Sequence, residues 1–144
     1  PMRNAVLGFC RSGRPVYAEC GGFLYLLQAI TDQQDIRHDM VGFFPTASLM
    51  LPRLQRFGYV EVTARGKCPF LSRGENIRGH EFHYSEIEPM PDTVQRTYAV
   101  TRRRTQEQHA EGYHLGNVLA GYIHLHFASK PVFAKKFVAV CSRY

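Results

Sequence analysis

Nothing in the sequence approaches the ~20 consecutive apolar residues that a membrane-spanning helix requires. The apolar runs Ala5 to Phe9 and Tyr122 to Phe127 are far shorter, and no charged-then-apolar leader precedes them. Neither a membrane span nor an export signal is expected. Cysteine is sparse, and Cys10, Cys20, Cys68 and Cys141 show no C-x-x-C spacing, which argues against a zinc site or a disulfide framework and for a reducing cytoplasm. Repeats and low-complexity tracts are missing as well. Acid is the scarcer charge: 12 Asp and Glu stand against 18 Lys and Arg, a formal net charge of +6. That imbalance favours an anionic partner, either a nucleic acid or a polycarboxylate. Only Arg102-Arg103-Arg104 forms a dense basic run, and no helix carries regularly spaced basic residues with interleaved aromatics. Nucleic acid is therefore disfavoured, and the run reads as a solvated turn. An initiator methionine is also missing; a chain opening on Pro1 reads as processed or cut from something longer.

The 144 residues suit one domain, and 44% hydrophobic with 21% charged residues is an ordinary globular composition that can bury a core. Met2 to Cys10 places apolar residues at helical spacing until Ser12-Gly13 stops it. Arg14-Pro15-Val16-Tyr17-Ala18-Glu19-Cys20-Gly21-Gly22 is a short apolar run entered through proline and left through paired glycine, as a buried strand ending in a tight turn would be. A leucine-rich helix is predicted to follow over Phe23–Ile30, closed at Thr31-Asp32. Strands are predicted over Phe57–Ala64, Thr97–Thr101 and Val118–Ile123. Pro131 to Cys141 begins with proline in a first-turn position and keeps apolar residues three and four apart, predicting an amphipathic helix.

Cys20 is the most informative residue. A cysteine between a buried strand and a glycine-led helix sits at the helix N-terminus, where free N–H groups and the dipole favour a thiolate. Gly21 and Gly22 permit a sharp turn and let a substrate carbonyl approach the Gly21 N–H. The alternative is a small core cysteine beside a glycine turn. A nucleophile needs a base, and histidines stand in Gly79-His80-Glu81-Phe82-His83-Tyr84-Ser85 and in Gly121-Tyr122-Ile123-His124-Leu125-His126-Phe127. Strand alternation puts His124 and His126 on one face, opposite Ile123, Leu125 and Phe127. A zinc site built from His80, His83, His124 and His126 is the competing reading; no cysteine or carboxylate joins them at ligand spacing, so no metal is assigned.

These segments carry a resemblance. Pro15 to Leu26, Gly79 to Ser85 and Gly121 to Ser129 look in order and spacing like the glutamine amidotransferase domain of the cobyrinate (or hydrogenobyrinate) a,c-diamide synthase family. Asp39 to Pro45 and Arg56 to Tyr59 resemble it too. The resemblance implies an α/β, class I glutamine amidotransferase-like fold of flavodoxin-like three-layer type, with a mixed, largely parallel sheet flanked by helices. Residues 1–144 would be the C-terminal two-thirds of that domain, the family's domain beginning further upstream with strands and a loop that supply another oxyanion donor.

It further implies that Cys20 is the nucleophile, His124 its activating base and Gly21 an oxyanion donor. Where many class I glutaminases place an orienting glutamate two residues after the histidine, this chain has His126. A Cys–His dyad is thus expected, with His126, His80, Glu81 or Glu19 left open as supporting groups. Glutamine would be the substrate, and a cobyrinate-like polycarboxylate would accept the ammonia on an upstream synthetase domain. That domain would use ATP and magnesium, and no cofactor is assigned to this chain. A homodimer is left open, as are a nickel-sirohydrochlorin or other tetrapyrrole acceptor and a catalytically silent interaction domain of the same fold.

Overall fold

The computed structural model describes residues 1–66 and 70–144, so Cys68 lies outside the described residues. Among the described residues three α-helices are formed: α1 (Met2–Arg11), α2 (Gly21–Leu26) and α3 (Pro131–Cys141). The strands are β1 (Val16–Glu19), β2 (Ala29–Thr31), β3 (Arg37–Asp39), β4 (Ala47–Met50), β5 (Arg56–Ala64), β6 (Asn76–His83), β7 (Ser85–Ile87), β8 (Gln95–Arg102), β9 (Gln108–Leu115), β10 (Val118–Gly121) and β11 (His124–Leu125). None of the helices is long and apolar enough to cross a membrane.

Seven strands form one sheet in the order β1-β10-β9-β8-β5-β6-β11, and four form a second, β3-β2-β4-β7. The large sheet is mixed but not largely parallel: among the described residues only β1 and β10 run parallel, and its other pairings are antiparallel. The cause is connection length. β8, β9 and β10 follow one another through short turns, which can join only antiparallel neighbours. A parallel step needs a long crossover, and the one from β1 to β10 spans most of the chain.

Alternation along β10 sorts its side chains to two cores. Val118 and Ala120 face α2 and the small sheet, packing with Phe23, Leu27, Phe44, Tyr113 and Tyr122. Leu119 faces α3 and packs with Val60, Val62, Ile77 and Phe133. Helix and small sheet, large sheet, helix make the three layers.

The predicted helices over Met2–Cys10 and Pro131–Cys141 are present with Ser12 as the C-cap of α1 and Pro131 opening α3. The helix predicted over Phe23–Ile30 instead stops at Leu26, where Leu27 turns extended (φ −70°, ψ 176°). Ala29–Thr31 becomes β2, pairing with β4 and β3; β-branched Ile30 and Thr31 favour that pleated surface over a helix's last turn. The Arg102-Arg103-Arg104 run divides: Arg103 and Arg104 are exposed in the turn, whereas Arg102 ends β8, is largely buried and contacts Glu81 and Glu107.

Candidate active site

β1 passes directly into α2 through Cys20, whose N–H donates to the Gly121 carbonyl at 2.8 Å while its own carbonyl accepts from Leu24 N–H at 2.9 Å. Cys20 adopts φ 47° and ψ −109°. A non-glycine residue held there stores on the order of 1–3 kcal/mol of backbone strain. Buried Phe23, Leu24 and Leu26 pin the helix behind it, so packing enforces the bend. A nucleophile placed on such a strained strand-to-helix turn projects clear of the sheet. The turn itself thus falls on the cysteine and not on the glycines. A Cβ built on Gly21 would meet nothing within 4 Å, so its missing side chain keeps space open beside the thiol and relieves no internal clash.

The Cys20 Sγ donates to the Phe82 carbonyl at 3.8 Å. Burial raises the thiol above its ordinary range; the N–H of Gly21 pulls it down less strongly, and the Glu19 carboxylate adds to the rise. The thiolate expected from a helix N-terminus is therefore not favoured in the resting site, because α2 is only six residues long and one N–H does not offset desolvation. For Cys20 to act as a nucleophile, a base would have to take its proton.

His124 is brought to this end of the sheet by β11, which pairs antiparallel with β6, His124 opposite His80 and Leu125 opposite Gly79. Gly79 makes the pairing possible, since a Cβ there would stand 2.5 Å from Ile123 Cγ2 and 2.9 Å from the His124 carbonyl. Glu19, the residue before Cys20, ties β1 to β11. Its Oε1 accepts from the Leu125 N–H at 2.8 Å and from the Tyr17 hydroxyl at 2.5 Å, and its Oε2 lies 3.6 Å from His124 Nδ1. One carboxylate thus reaches both the strand carrying the histidine and the ring itself.

The other histidines and Glu81 take separate places. His80 lies beside His124 and contacts the rings of Phe57 and Tyr59. His126 is exposed and held through its backbone, donating N–H to the Arg78 carbonyl at 2.8 Å. His83 is buried, stacked on Tyr122 with ring centroids 3.8 Å apart, and its Nδ1 donates to the Ser85 carbonyl. Burial lowers its pKa. Glu81 is buried against His109 and Arg102 and, among the described residues, forms no ion pair or hydrogen bond with His124. Burial pushes its carboxyl up, but the His109 hydrogen bond and the charges of His109, Arg102 and Arg56 outweigh that and hold it below the usual carboxylate range. Among the described residues no group of three or more His, Cys, Asp or Glu is placed to hold a metal ion. Tyr59, Arg78, His80, Arg103, His124 and His126 line an open cleft of about 630 Å³.

One residue at the elbow had no visible signal in the sequence. Glu111, in the middle of β9, is fully buried and accepts from the Gly112 N–H at 2.7 Å and the Tyr122 N–H at 2.6 Å. Its carboxylate fills the place of a side chain at Gly121, where a Cβ would come within 2.3 Å of Glu111 Oε1. Gly121 is the residue whose carbonyl holds the Cys20 N–H. Burial raises Glu111 to about 7 despite the two N–H groups that pull it down.

Residues 1–132 match the CobB/CobQ-like glutamine amidotransferase domain. A cobyrinate a,c-diamide synthase from Syntrophotalea carbinolica is 45% identical over 142 residues, covering 97% of this chain and 31% of its own length. The chain spans about a third of the length of the curated relatives it matches. Among solved structures, a Thermoplasma acidophilum protein provisionally named as part of a GMP synthase aligns with TM-score 0.61 at 15% identity, over 99% of this chain and 65% of its own. A glutamine amidotransferase from Thermotoga maritima aligns with TM-score 0.54 at 12% identity, over 99% and 53%. The chain belongs to the CobB/CobQ-like glutamine amidotransferase family.

Proposed function

We propose that this member of the CobB/CobQ-like family hydrolyses glutamine at Cys20 and supplies the ammonia for a,c-diamidation of cobyrinate. The observation that carries the reading is the strained Cys20 elbow directly preceded by Glu19, the carboxylate that holds the strand of His124 and lies 3.6 Å from its ring.

In this scheme His124 takes the Cys20 thiol proton, and the sulfur attacks the side-chain amide carbon of glutamine. The carbonyl oxygen becomes an oxyanion facing the Gly21 N–H, in the space left open by that residue's missing side chain. The His124 imidazolium, stabilised by the Glu19 carboxylate, returns its proton to the amide nitrogen, and ammonia leaves as the thioester forms. Water, deprotonated by His124, then attacks the thioester; the carbon–sulfur bond breaks, glutamate departs and the proton returns to Cys20. ATP and magnesium belong, on this reading, to a companion synthetase domain that activates the acceptor carboxylates in the cytoplasm.

The test uses the full-length enzyme. Cys20→Ala should abolish glutamine-dependent amidation while amidation from added ammonium salt continues, and a glutamine-like electrophile should label wild-type Cys20. Glutamine-dependent turnover in the alanine variant would refute the assignment.

A further inference from the structure

The cleft beside His124 holds more charge than the glutamine chemistry uses. Arg78 and Arg103 both line it and both are exposed. Among the described residues neither guanidinium takes part in an ion pair or a side-chain hydrogen bond, whereas the neighbouring Arg56 and Arg102 are paired with Glu107 and Glu81. The nearest acid by register is Glu61, opposite Arg78 across β5 and β6, and the two are not joined. No carboxylate lines the cleft, while His80 and His126 add two more polar rings to its wall. Two guanidiniums that line one concavity, neither in an ion pair or side-chain hydrogen bond among the described residues, present planar forks suited to carboxylates.

Tyr59 lines the same cleft, and Phe57 stands two residues before it on β5. Tyr59 is 75% exposed and Phe57 65% exposed, and both contact the ring of His80 edge-on. Exposed aromatic area of this size beside a concavity marks a surface that a ligand or partner covers. Flat apolar area next to paired cations fits a planar ring system with carboxylates on its rim. It fits glutamine poorly, because glutamine has no ring and a single carboxylate.

We infer that Tyr59, Arg78 and Arg103 form an acceptor subsite, in which the tetrapyrrole rests its ring edge on Tyr59 and places peripheral carboxylates on the two arginines. The inference rests on the reading of the chain as a tetrapyrrole amidotransferase, and it adds that the glutaminase domain itself touches the acceptor. The acceptor rim would then lie next to His124, where ammonia is released.

Kinetics of the full-length enzyme test it. Both arginines are exposed, so their replacement removes charge without emptying the core. Losing one charge-assisted pair at a partly wet site is worth roughly tenfold, so Arg78→Gln and Arg103→Gln should each raise the cobyrinate KM about tenfold, with either glutamine or ammonium salt as nitrogen donor. Arg→Lys at either position should recover part of the loss. Direct titration with uroporphyrin, a polycarboxylate probe, should show the same weakening, and its fully esterified form should bind wild type and variants alike. An unchanged cobyrinate KM in the double variant overturns the subsite. A rise in the glutamine KM alone also overturns it, assigning the arginines to the glutamine α-carboxylate. Failure of the amidotransferase reading would show separately, as absence of glutamine-dependent amidation in the wild-type enzyme.

Discussion

Replacing Glu19 by glutamine separates the charge of the side chain from its packing. The amide oxygen can still accept from the Leu125 N–H and the Tyr17 hydroxyl, so the link between β1 and β11 persists. What is lost is a negative charge 3.6 Å from His124 Nδ1. At that distance a full ion pair is worth about 5 kcal/mol at an effective dielectric of ~20 and about 1 kcal/mol in bulk water. His124 is 47% and Glu19 24% exposed, which places the site towards the wet limit, and about 1–3 kcal/mol is expected. The same charge also raises the resting Cys20 thiol, but the ion pair with His124 exists only once the ring has taken the Cys20 proton, so the loss should fall on kcat, roughly 10- to 100-fold. Glutamate release from glutamine, followed from pH 6 to 9, is the assay, with thermal denaturation to confirm an intact fold. The effect should shrink with added salt, as an exposed pair is screened. A kcat within twofold of wild type throughout would refute Glu19 as the group that stabilises the imidazolium.

His124→Ala should cost about 10²–10⁴ in glutaminase rate if it transfers the proton, and His126→Ala far less; equal losses would instead point to a coupled pair. Gly21→Ala should leave thermal stability near wild type, since the new methyl meets nothing within 4 Å, yet slow glutamine turnover by filling the space beside the thiol. Gly121→Ala should lower both, because its methyl would press on the Glu111 carboxylate at 2.3 Å and overpacking costs about 1–3 kcal/mol or more. Glu111 imposes a pH dependence on stability. Its folded pKa of about 7 exceeds the ordinary 4.5, so the native state holds a proton that the unfolded chain has released, and stability is lost as pH rises through that window. The loss approaches about 3 kcal/mol, and chemical denaturation between pH 4.5 and 8 should show that slope in wild type and not in Glu111→Gln.

The elements that were legible are those whose buried face is apolar. α1, α3, β5 and β10 present repeating aliphatic positions, and each lies close to its predicted span. β6 and β9 were not predicted as strands, because their buried positions are filled by other chemistry. In β6 these are Ile77, Gly79, Glu81 and His83; in β9 they are Glu111, Gly112, Tyr113 and His114. A glutamate or histidine at an inward position erases the alternation that marks a strand. The site divides in the same way. Cys20 was marked by local pattern and His124 by the family resemblance, whereas the partnership of Glu19 with His124 joins residues 105 positions apart in sequence and Glu111 acts through a carbonyl on another strand.

Those hidden polar residues gather around the elbow for a physical reason. Cys20 sits in a conformation that its own backbone disfavours, and it stays there only while both sides of the bend are fixed. α2 fixes one side by burying Phe23, Leu24 and Leu26. The other side is the carbonyl of Gly121, which lies where β10 ends and the chain turns towards His124. An aliphatic side chain beneath that break could fill space, but it could not hold the Tyr122 N–H, which Glu111 binds where the strand leaves the ladder. A buried carboxylate costs desolvation, seen in its raised pKa, and in return positions one turn that serves both the Cys20 backbone and the strand that carries His124. Glu19 repeats the device on the exposed side, accepting the Leu125 N–H with one oxygen and facing the imidazole with the other. One carboxylate in mid-strand and one at a strand end thus hold the backbones of Cys20 and His124 in register, Glu111 through the backbone alone and Glu19 through backbone and charge together.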